Sequence, residues 1–336
     1  MKYTNEDFNG KTILITGGAG FIGSNLAFYF QNHYPDAKIV IFDLFRSGET
    51  FDNGNLKSFG HFKNLMGFRG EILCGDLNDP SIWERFRSYK FDYIFHQAAI
   101  SDTTVYDQNI MLKTNLNTFK NFIELSLEQN SALVYASSGA TYGDAEAPQS
   151  VGKEAPQNIY GFSKLMMDHL TRDTLKRHPE AKIVGLRYFN VYGPREFYKN
   201  KTASMILQLG LQILSKKAPK LFFGSDTIRR DFVYIDDIIQ ANIKAATPTK
   251  SGIYNVGTGI PRSFQEIADI LQRELGTDYG TDYIENPYVG SYQFLTQADI
   301  APTCEGLGYE PLISLETGIK NYIPEIKRIF EKEFKK

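Results

Sequence analysis

Tyr160 and Lys164 stand four residues apart in the stretch Asn158-Ile159-Tyr160-Gly161-Phe162-Ser163-Lys164. Leu165, Met166, Met167 and Leu170 follow with helical spacing, so the segment reads as the start of a helix. Residues four apart on a helix share a face, with Cβ atoms about 5–6 Å apart. A tyrosine phenol, with a reference pKa of about 10, is a poor base at neutral pH. An ammonium beside it favours the phenolate and lowers that value. Such a pair can carry the proton of a hydroxyl group that is being oxidised. Alone, the Tyr-x-x-x-Lys spacing also suits a surface tyrosine with a lysine lying over it. Ser138 ends the apolar run Ala132–Ala136 plus two serines, at a sheet edge where side chains meet ligands, and can hold the same hydroxyl.

An oxidation needs a hydride acceptor. Lys11–Thr16 reads as a strand and runs into Gly17-Gly18-Ala19-Gly20-Phe21-Ile22-Gly23, which opens the helical pattern Gly20–Gln31. The run fits G-x-G-x-x-G from Gly18 and G-x-x-G-x-x-G from Gly17. Glycines here allow a tight turn and let backbone N–H groups approach a pyrophosphate at a helix N-terminus. Asp43 ends the second strand, about twenty residues beyond Gly23, where a carboxylate grips the ribose 2′-hydroxyl of NAD. Arg46 lies close by and suits the 2′-phosphate of NADP instead, with His61 and Lys63 adding positive charge. On these residues both cofactors stay open. Asp76, after the third strand, either reads an adenine edge or caps the turn before Asp79-Pro80. His96-Gln97-Ala98-Ala99 supplies small residues against which a dinucleotide can lie.

These groups must be positioned by repeated strand–helix units. Further strands are expected at Lys38–Phe42, Glu71–Leu73, Tyr93–His96, Ala132–Ala136 and Lys182–Tyr188, with helices at Thr114–Gln129 and Gly161–Arg177. Apolar runs without polar alternation suit a parallel sheet covered on both faces. The expected fold is therefore α/β: a doubly wound, Rossmann-type parallel sheet with a smaller C-terminal α/β region. Residues 1–189 form the dinucleotide-binding domain, to which 232–260 is expected to return, and 190–336 the substrate-binding region. Phe45–Gly70 lacks periodicity and is long enough to be a functional loop. The charged tail Glu325–Lys336 reads as a solvated helix.

The chain has 336 residues, 42% hydrophobic and 23% charged, enough for one large or two modest cores. A net charge of −2 supplies no field for nucleic acid or an anionic membrane. No signal segment and no apolar run of membrane-spanning length is visible. Two cysteines, Cys74 and Cys304, fit a reducing compartment, and the scattered histidines offer no metal-ligand spacing. A soluble cytoplasmic protein is expected.

Taken together, "GGAGFIGSN" (17–25), "YASSGATYG" (135–143), "YGFSK" (160–164), "RYFNVYGPRE" (187–196), "KLFFGS" (220–225), "RDFVY" (230–234) and "YQFLTQAD" (292–299) are far more specific than any one motif. Over nearly its whole length the chain resembles the extended short-chain dehydrogenase/reductases that act on nucleotide sugars. Within them it is most similar to the ADP-heptose 6-epimerases of lipopolysaccharide core synthesis. That resemblance implies inversion of C6 of an ADP-heptose through a transient aldehyde. Dehydratases of the group carry an Asp-Glu pair after the serine, whereas Ser138 is followed by Gly139-Ala140-Thr141.

The resemblance also implies a second acid/base group, Lys199, beside Tyr160, Ser138 and Lys164. Two stereochemical faces call for two such groups. It implies NADP rather than NAD. The cofactor set is Gly17, Gly20, Phe21, Ile22 and Gly23; Asp43, Leu44, Arg46, Asp76 and Leu77; Gln97, Ala98, Ala99, Ser101 and Asn115; and Lys164, Val191 and Lys199. The substrate set is Asn190, Lys201, Gln208, Phe222, Gly224, Ser225, Arg230 and Tyr292, with Arg230 suited to a diphosphate. Lys201 and Gln208 depart from the serine and histidine of other members. A homo-oligomeric ring is implied as well. Two rivals stand: a UDP-hexose 4-epimerase, which has no need of Lys199, and a non-catalytic dinucleotide sensor, which has no need of Ser138, Tyr160 and Lys164.

Overall fold

The structure is a computed structural model that describes residues 1–286 and 294–335. The first half alternates β1 (Thr12–Thr16), α1 (Phe21–His33), β2 (Lys38–Asp43), β3 (Glu71–Cys74), α2 (Ser81–Arg87), β4 (Tyr93–His96), α3 (Gln108–Met111), α4 (Thr118–Gln129), β5 (Ala132–Ser138), α5 (Ile159–Arg177) and β6 (Ile183–Tyr188). The second half contains β7 (Asn190–Tyr192), α6 (Met205–Leu214), β8 (Lys220–Phe222), β9 (Arg229–Tyr234), α7 (Ile235–Ala245), β10 (Gly252–Val256), β11 (Pro261–Ser263), α8 (Phe264–Leu275), β12 (Asp282–Ile284), α9 (Ala301–Leu307) and α10 (Leu315–Ile329).

Seven strands form one parallel sheet in the order β10-β6-β5-β4-β1-β2-β3. Alternate side chains go to opposite faces. In β1, Ile13 and Ile15 pack with Leu26 and Phe30 of α1, while Leu14 packs with Phe86, Phe119, Phe122 and Met167 from α2, α4 and α5. Every one of these residues is fully buried. Each is worth about 1.5–3 kcal/mol of burial, and helices on both faces are what continuous apolar strands require. The doubly wound sheet read from the sequence is the fold observed.

After β6 the chain leaves this sheet. β7, β9 and β11 make a three-stranded sheet, and β8 pairs with β12. The strand near Phe232 therefore does not rejoin the first sheet: β7 exits directly after β6 and carries its partner β9 with it. What returns is β10, on the free edge of β6, and α7, which packs beside α1. The C-terminal segment is also not simply solvated. Leu315, Ile319, Tyr322, Ile323, Ile326 and Ile329 form a buried stripe along α10, and Glu333 reaches Lys63 at 2.7 Å. Among the described residues, no helix is long and apolar enough to cross a membrane.

Candidate active site

β1 and β2 lie on one side of a topological switch and β4 on the other, so a crevice opens beyond the strand ends. It is a cavity of about 670 Å³. Its walls include Gly17, Gly20, Phe21, Ile22 and Gly23 after β1, then Asp43, Leu44, Asp76 and Leu77 after β2 and β3. Gln97, Ala98, Ala99 and Ser101 follow β4, and Ser138, Tyr160, Lys164, Val191 and Lys199 complete it.

The glycines are needed for close approach. Gly17 has φ +66°, and a Cβ there would lie 2.8 Å from the Ala98 nitrogen. A Cβ on Gly23 would lie 2.2 Å from the Gly17 carbonyl oxygen, so only glycine lets α1 start against the turn. Gly20 caps α1 without a side-chain hydrogen bond, leaving the first N–H groups of the helix to the cavity. An uncapped, glycine-lined helix N-terminus fits a dinucleotide pyrophosphate.

Asp43 is almost fully buried. Its carboxylate accepts the Ala19 N–H at 3.0 Å and the Phe45 N–H at 2.8 Å, and burial pushes its pKa up. It thus ties the glycine turn to the loop that follows β2. Asp76 accepts from the Asn78 backbone at 2.8 Å, so it caps its turn while lining the cavity. Gln97 is held by Asn242 and by Tyr188, each at 3.1 Å.

Two expected cofactor residues are not brought to the cavity. The Arg46 guanidinium donates to the Tyr198 carbonyl and sits over the Tyr198 ring, which His61 stacks against from 3.7 Å. Local aromatic packing captures it, and Lys57 is the cation of this loop on the cavity wall. Asn115 is fully buried and bonds both the N–H and the carbonyl of Ile100 at 2.9 Å and Ser163 at 3.1 Å. It fastens the Ile100 loop to α5, with no face left for a ligand.

Ser138, Tyr160 and Lys164 do converge. Asn158 caps α5 by accepting the Gly161 N–H, which fixes Tyr160 in the first turn and Lys164 one turn on. Ser138 and Tyr160 line the same cavity, and the Ser138 hydroxyl favours the Tyr160 phenolate. The Lys164 amine donates to the Ala136 carbonyl at 2.7 Å and lies 5.9 Å from the Tyr160 ring centre. Burial lowers the Lys164 pKa to about 8 against the pull of Asp168. Burial also raises the Tyr160 phenol, with Ser138 acting the other way. The protein alone therefore does not depress the phenol as the Tyr–Lys spacing suggested, because desolvation outweighs the effect of Ser138.

Asp168 is the anchor behind the lysine. It accepts from Tyr135 at 2.8 Å, Ser137 at 3.1 Å and Arg187 at 2.8 Å, all buried, and so pins α5 to β5 and β6.

Lys199 enters from the segment after β7. Its amine lies 5.5 Å over the Phe21 ring, and burial lowers its pKa while Glu196 raises it. Glu196, fully buried, accepts from the Ser204 N–H and hydroxyl at 2.7 Å each and from the Gly193 N–H at 3.2 Å.

The expected substrate residues that are described lie outside the cavity walls. Asn190 on β7 is beside β9, which carries Arg230. Phe222 ends β8, and Gly224 and Ser225 form the turn after it, where the Ser225 hydroxyl is buried without a partner among the described residues. Gln208 donates to the Ala203 carbonyl at 2.7 Å and to that of Lys201 at 3.3 Å, so it braces the Lys199 segment. Tyr292 is outside the described residues.

A model of the NAD dependent epimerase/dehydratase family matches residues 13–257. The chain belongs to that family. It is 37% identical over 325 residues to an ADP-L-glycero-D-manno-heptose-6-epimerase of Brachyspira hyodysenteriae, covering 94% of this chain and 98% of that one. The crystal structure of the Helicobacter pylori ADP-L-glycero-D-manno-heptose-6-epimerase superposes with TM-score 0.89 at 50% identity, covering 97% and 99% of the two chains. A Thermotoga maritima UDP-glucose 4-epimerase, solved with UDP-glucose, has TM-score 0.82 at 26% identity, covering 95% and 99%.

In this family member, three parts of the site went unread in the sequence. Tyr188 lines the cavity and donates to Gln97; its signals were its place at the end of a strand and in the stretch 187–196. Phe189 and Thr202 also line it. So do Ser47, Lys57 and Ser58, from a loop whose lack of periodicity hid which residues face inward.

Proposed function

We propose that the protein inverts C6 of an ADP-linked glycero-manno-heptose, converting the D-glycero-D-manno form into the L-glycero-D-manno form for lipopolysaccharide core synthesis. The observation that carries this reading is that two half-buried acid/base groups from different elements, Tyr160 of α5 and Lys199 after β7, line one dinucleotide-sized cavity. The 6-epimerase relatives, at 37% and 50% identity, support it.

A bound nicotinamide dinucleotide supplies the place to which the C6 hydride goes and from which it returns. Gly17, Gly20 and the N–H groups of Phe21 and Ile22 would hold its pyrophosphate. Ser138 holds the C6 hydroxyl, and one of Tyr160 and Lys199 takes its proton as the C6–H bond breaks, leaving an aldehyde. The aldehyde turns about the C5–C6 bond. Hydride then returns to its other face, and the second of the two groups protonates the oxygen. Lys164 keeps positive charge beside the Tyr160 ring. Asn190, Phe222, Ser225, Arg230 and Tyr292 take the ADP-sugar.

We take NADP over NAD. Asp43 already spends a lone pair of each oxygen on a backbone N–H, and Lys57 and Ser58 offer donors on the wall nearby. The same reading expects a cytoplasmic homo-oligomer. A 4-epimerase acting on a ring carbon has no use for a second base on the cavity wall, so Lys199 favours the exocyclic reaction over that of the Thermotoga neighbour.

The test is incubation with ADP-D-glycero-D-manno-heptose and NMR of the product. An approach to a mixture of the two C6 epimers is expected. Unchanged heptose, with turnover of UDP-glucose, would overturn the reading.

A further inference from the structure

The loop after β2 is built as a strap. Its base is closed by the Arg46 N–H on the Gly60 carbonyl at 2.9 Å. Above that, Thr50 and Leu56 form an antiparallel bridge, with Lys57 N–H to Glu49 carbonyl at 2.9 Å and Phe51 N–H to Asn55 carbonyl at 2.8 Å. One face of the strap, including Ser47, Phe51, Lys57 and Ser58, is cavity wall.

Its tip reaches the loop after β4, which forms the opposite wall through Ile100, Ser101 and Asp102. Asn55 donates to Asp102 Oδ2 at 2.7 Å, and Asn53 donates to the same oxygen at 3.2 Å and to the Thr104 hydroxyl at 2.9 Å. Phe51 is buried in a small cluster with Ile100, Val105 and Met111, against which Ile159 and Tyr160 also pack. Asp102 is itself 4% exposed, and its other oxygen accepts the Thr104 N–H at 2.8 Å. Strap and loop therefore meet across the cavity through hydrogen bonds to a carboxylate and one apolar plug, the stronger kind of polar contact.

We propose that Asn53, Asn55 and Asp102 are a latch that retains the nicotinamide dinucleotide between turnovers. The proposed reaction gives this a purpose, since a hydride taken from the sugar must come back from the same cofactor molecule. Release after the first transfer would strand the reduced dinucleotide and an aldehyde sugar. An enzyme that ended each turnover with its cofactor changed would need the reverse, a strap that opens every cycle.

The inference leans on the epimerase reading for its purpose but not for its test, which contains no sugar. Asn53 and Asn55 are not part of the cavity wall, so changing them removes no cofactor contact. The Asn53→Ala/Asn55→Ala protein is loaded with radiolabelled NADP, and its release into excess unlabelled NADP is timed against wild type. Asp102→Asn, which keeps the shape and removes the charge, breaks the latch from the other side. Release at least tenfold faster in both variants is expected, with the triple variant no faster than either, because one contact is being broken. Melting temperatures near wild type exclude general loosening. Release within twofold of wild type in the folded Asn53/Asn55 variant, or in Asp102→Asn, would overturn the latch and leave the epimerase reading untouched.

Discussion

The amine of Lys199 lies 5.5 Å over the ring of Phe21, the first residue of α1. The lysine therefore stands at the uncapped helix N-terminus on the cavity wall, although 178 positions of chain separate it from Phe21 in the sequence (199 − 21). Asn25 fixes the relationship, donating from α1 to the Pro194 carbonyl at 3.0 Å. Lys199→Met should nearly abolish epimerisation even at NADP concentrations that a fluorescence titration shows to saturate the variant. Turnover within a few-fold of wild type would remove Lys199 from the chemistry.

Glu196 sets both the shape and the charge around that lysine. Arg195 and Asn200 adopt φ of +77° and +53°, conformations that cost energy for residues other than glycine. The bonds from Gly193 and Ser204 to the Glu196 carboxylate hold the segment there. Because its negative charge raises the Lys199 pKa, Glu196→Gln should move the limb of the pH–rate profile that reports Lys199 to lower pH. A profile of unchanged shape would confine Glu196 to folding.

Tyr160→Phe should lower kcat by about 10²–10⁴, the range for one acid–base group, in a protein that melts as wild type does. Near-normal turnover would make the Tyr–Lys pair a packing feature.

Lys164, lowered by burial to about 8, is an ammonium below that pH and a neutral amine above it. If its charge serves Tyr160, kcat should fall as the pH rises through about 8. The fall should shift to higher pH in Lys164→Arg. A flat profile to pH 10 would show that the charge is not needed.

Glu154 sits beneath α5 with Arg187 at 2.6 Å and Arg172 at 2.8 Å. Burial alone would raise its pKa, but Arg187, the Gly152 N–H and Arg172 bring it down to about 2. A carboxyl depressed below its unfolded value of 4.5 contributes stability above that pH and loses it as the pH falls towards 2. Glu154→Gln should cost about 3 kcal/mol at neutral pH, since Arg187 keeps Asp168. It should also flatten the pH dependence of denaturant midpoints between 4.5 and 2. An unchanged slope there would mean that Glu154 is not the titrating group.

The parts of the molecule that were legible in the sequence are those whose physics is local. The parallel sheet followed from unbroken apolar runs, the glycine turn from conformations only glycine allows, and Tyr160, Ser138 and Lys164 from helix and strand spacing. The missed features depend on partners distant in sequence. Arg46 was expected at the cofactor because it follows Asp43, but Tyr198 and His61 capture it. Asn115 was expected at the cavity and instead closes hydrogen bonds inside the Ile100 loop. β9 lies in the second sheet because β7 leaves the first, which no residue of β9 records. The strap was recognised only as a long loop, since its latch is made with Asp102.

The central claim is that the C6 hydrogen leaves as hydride and returns to the opposite face within one active site. ADP-D-glycero-D-manno-heptose carrying deuterium at C6 tests it most directly when the reaction runs in ordinary water with wild-type protein. The account predicts a C6-inverted product that keeps its deuterium, with none appearing in free NADPH and no solvent hydrogen entering C6. Inversion accompanied by loss of the deuterium to water would mean that C6 exchanges as a proton, and would contradict the account.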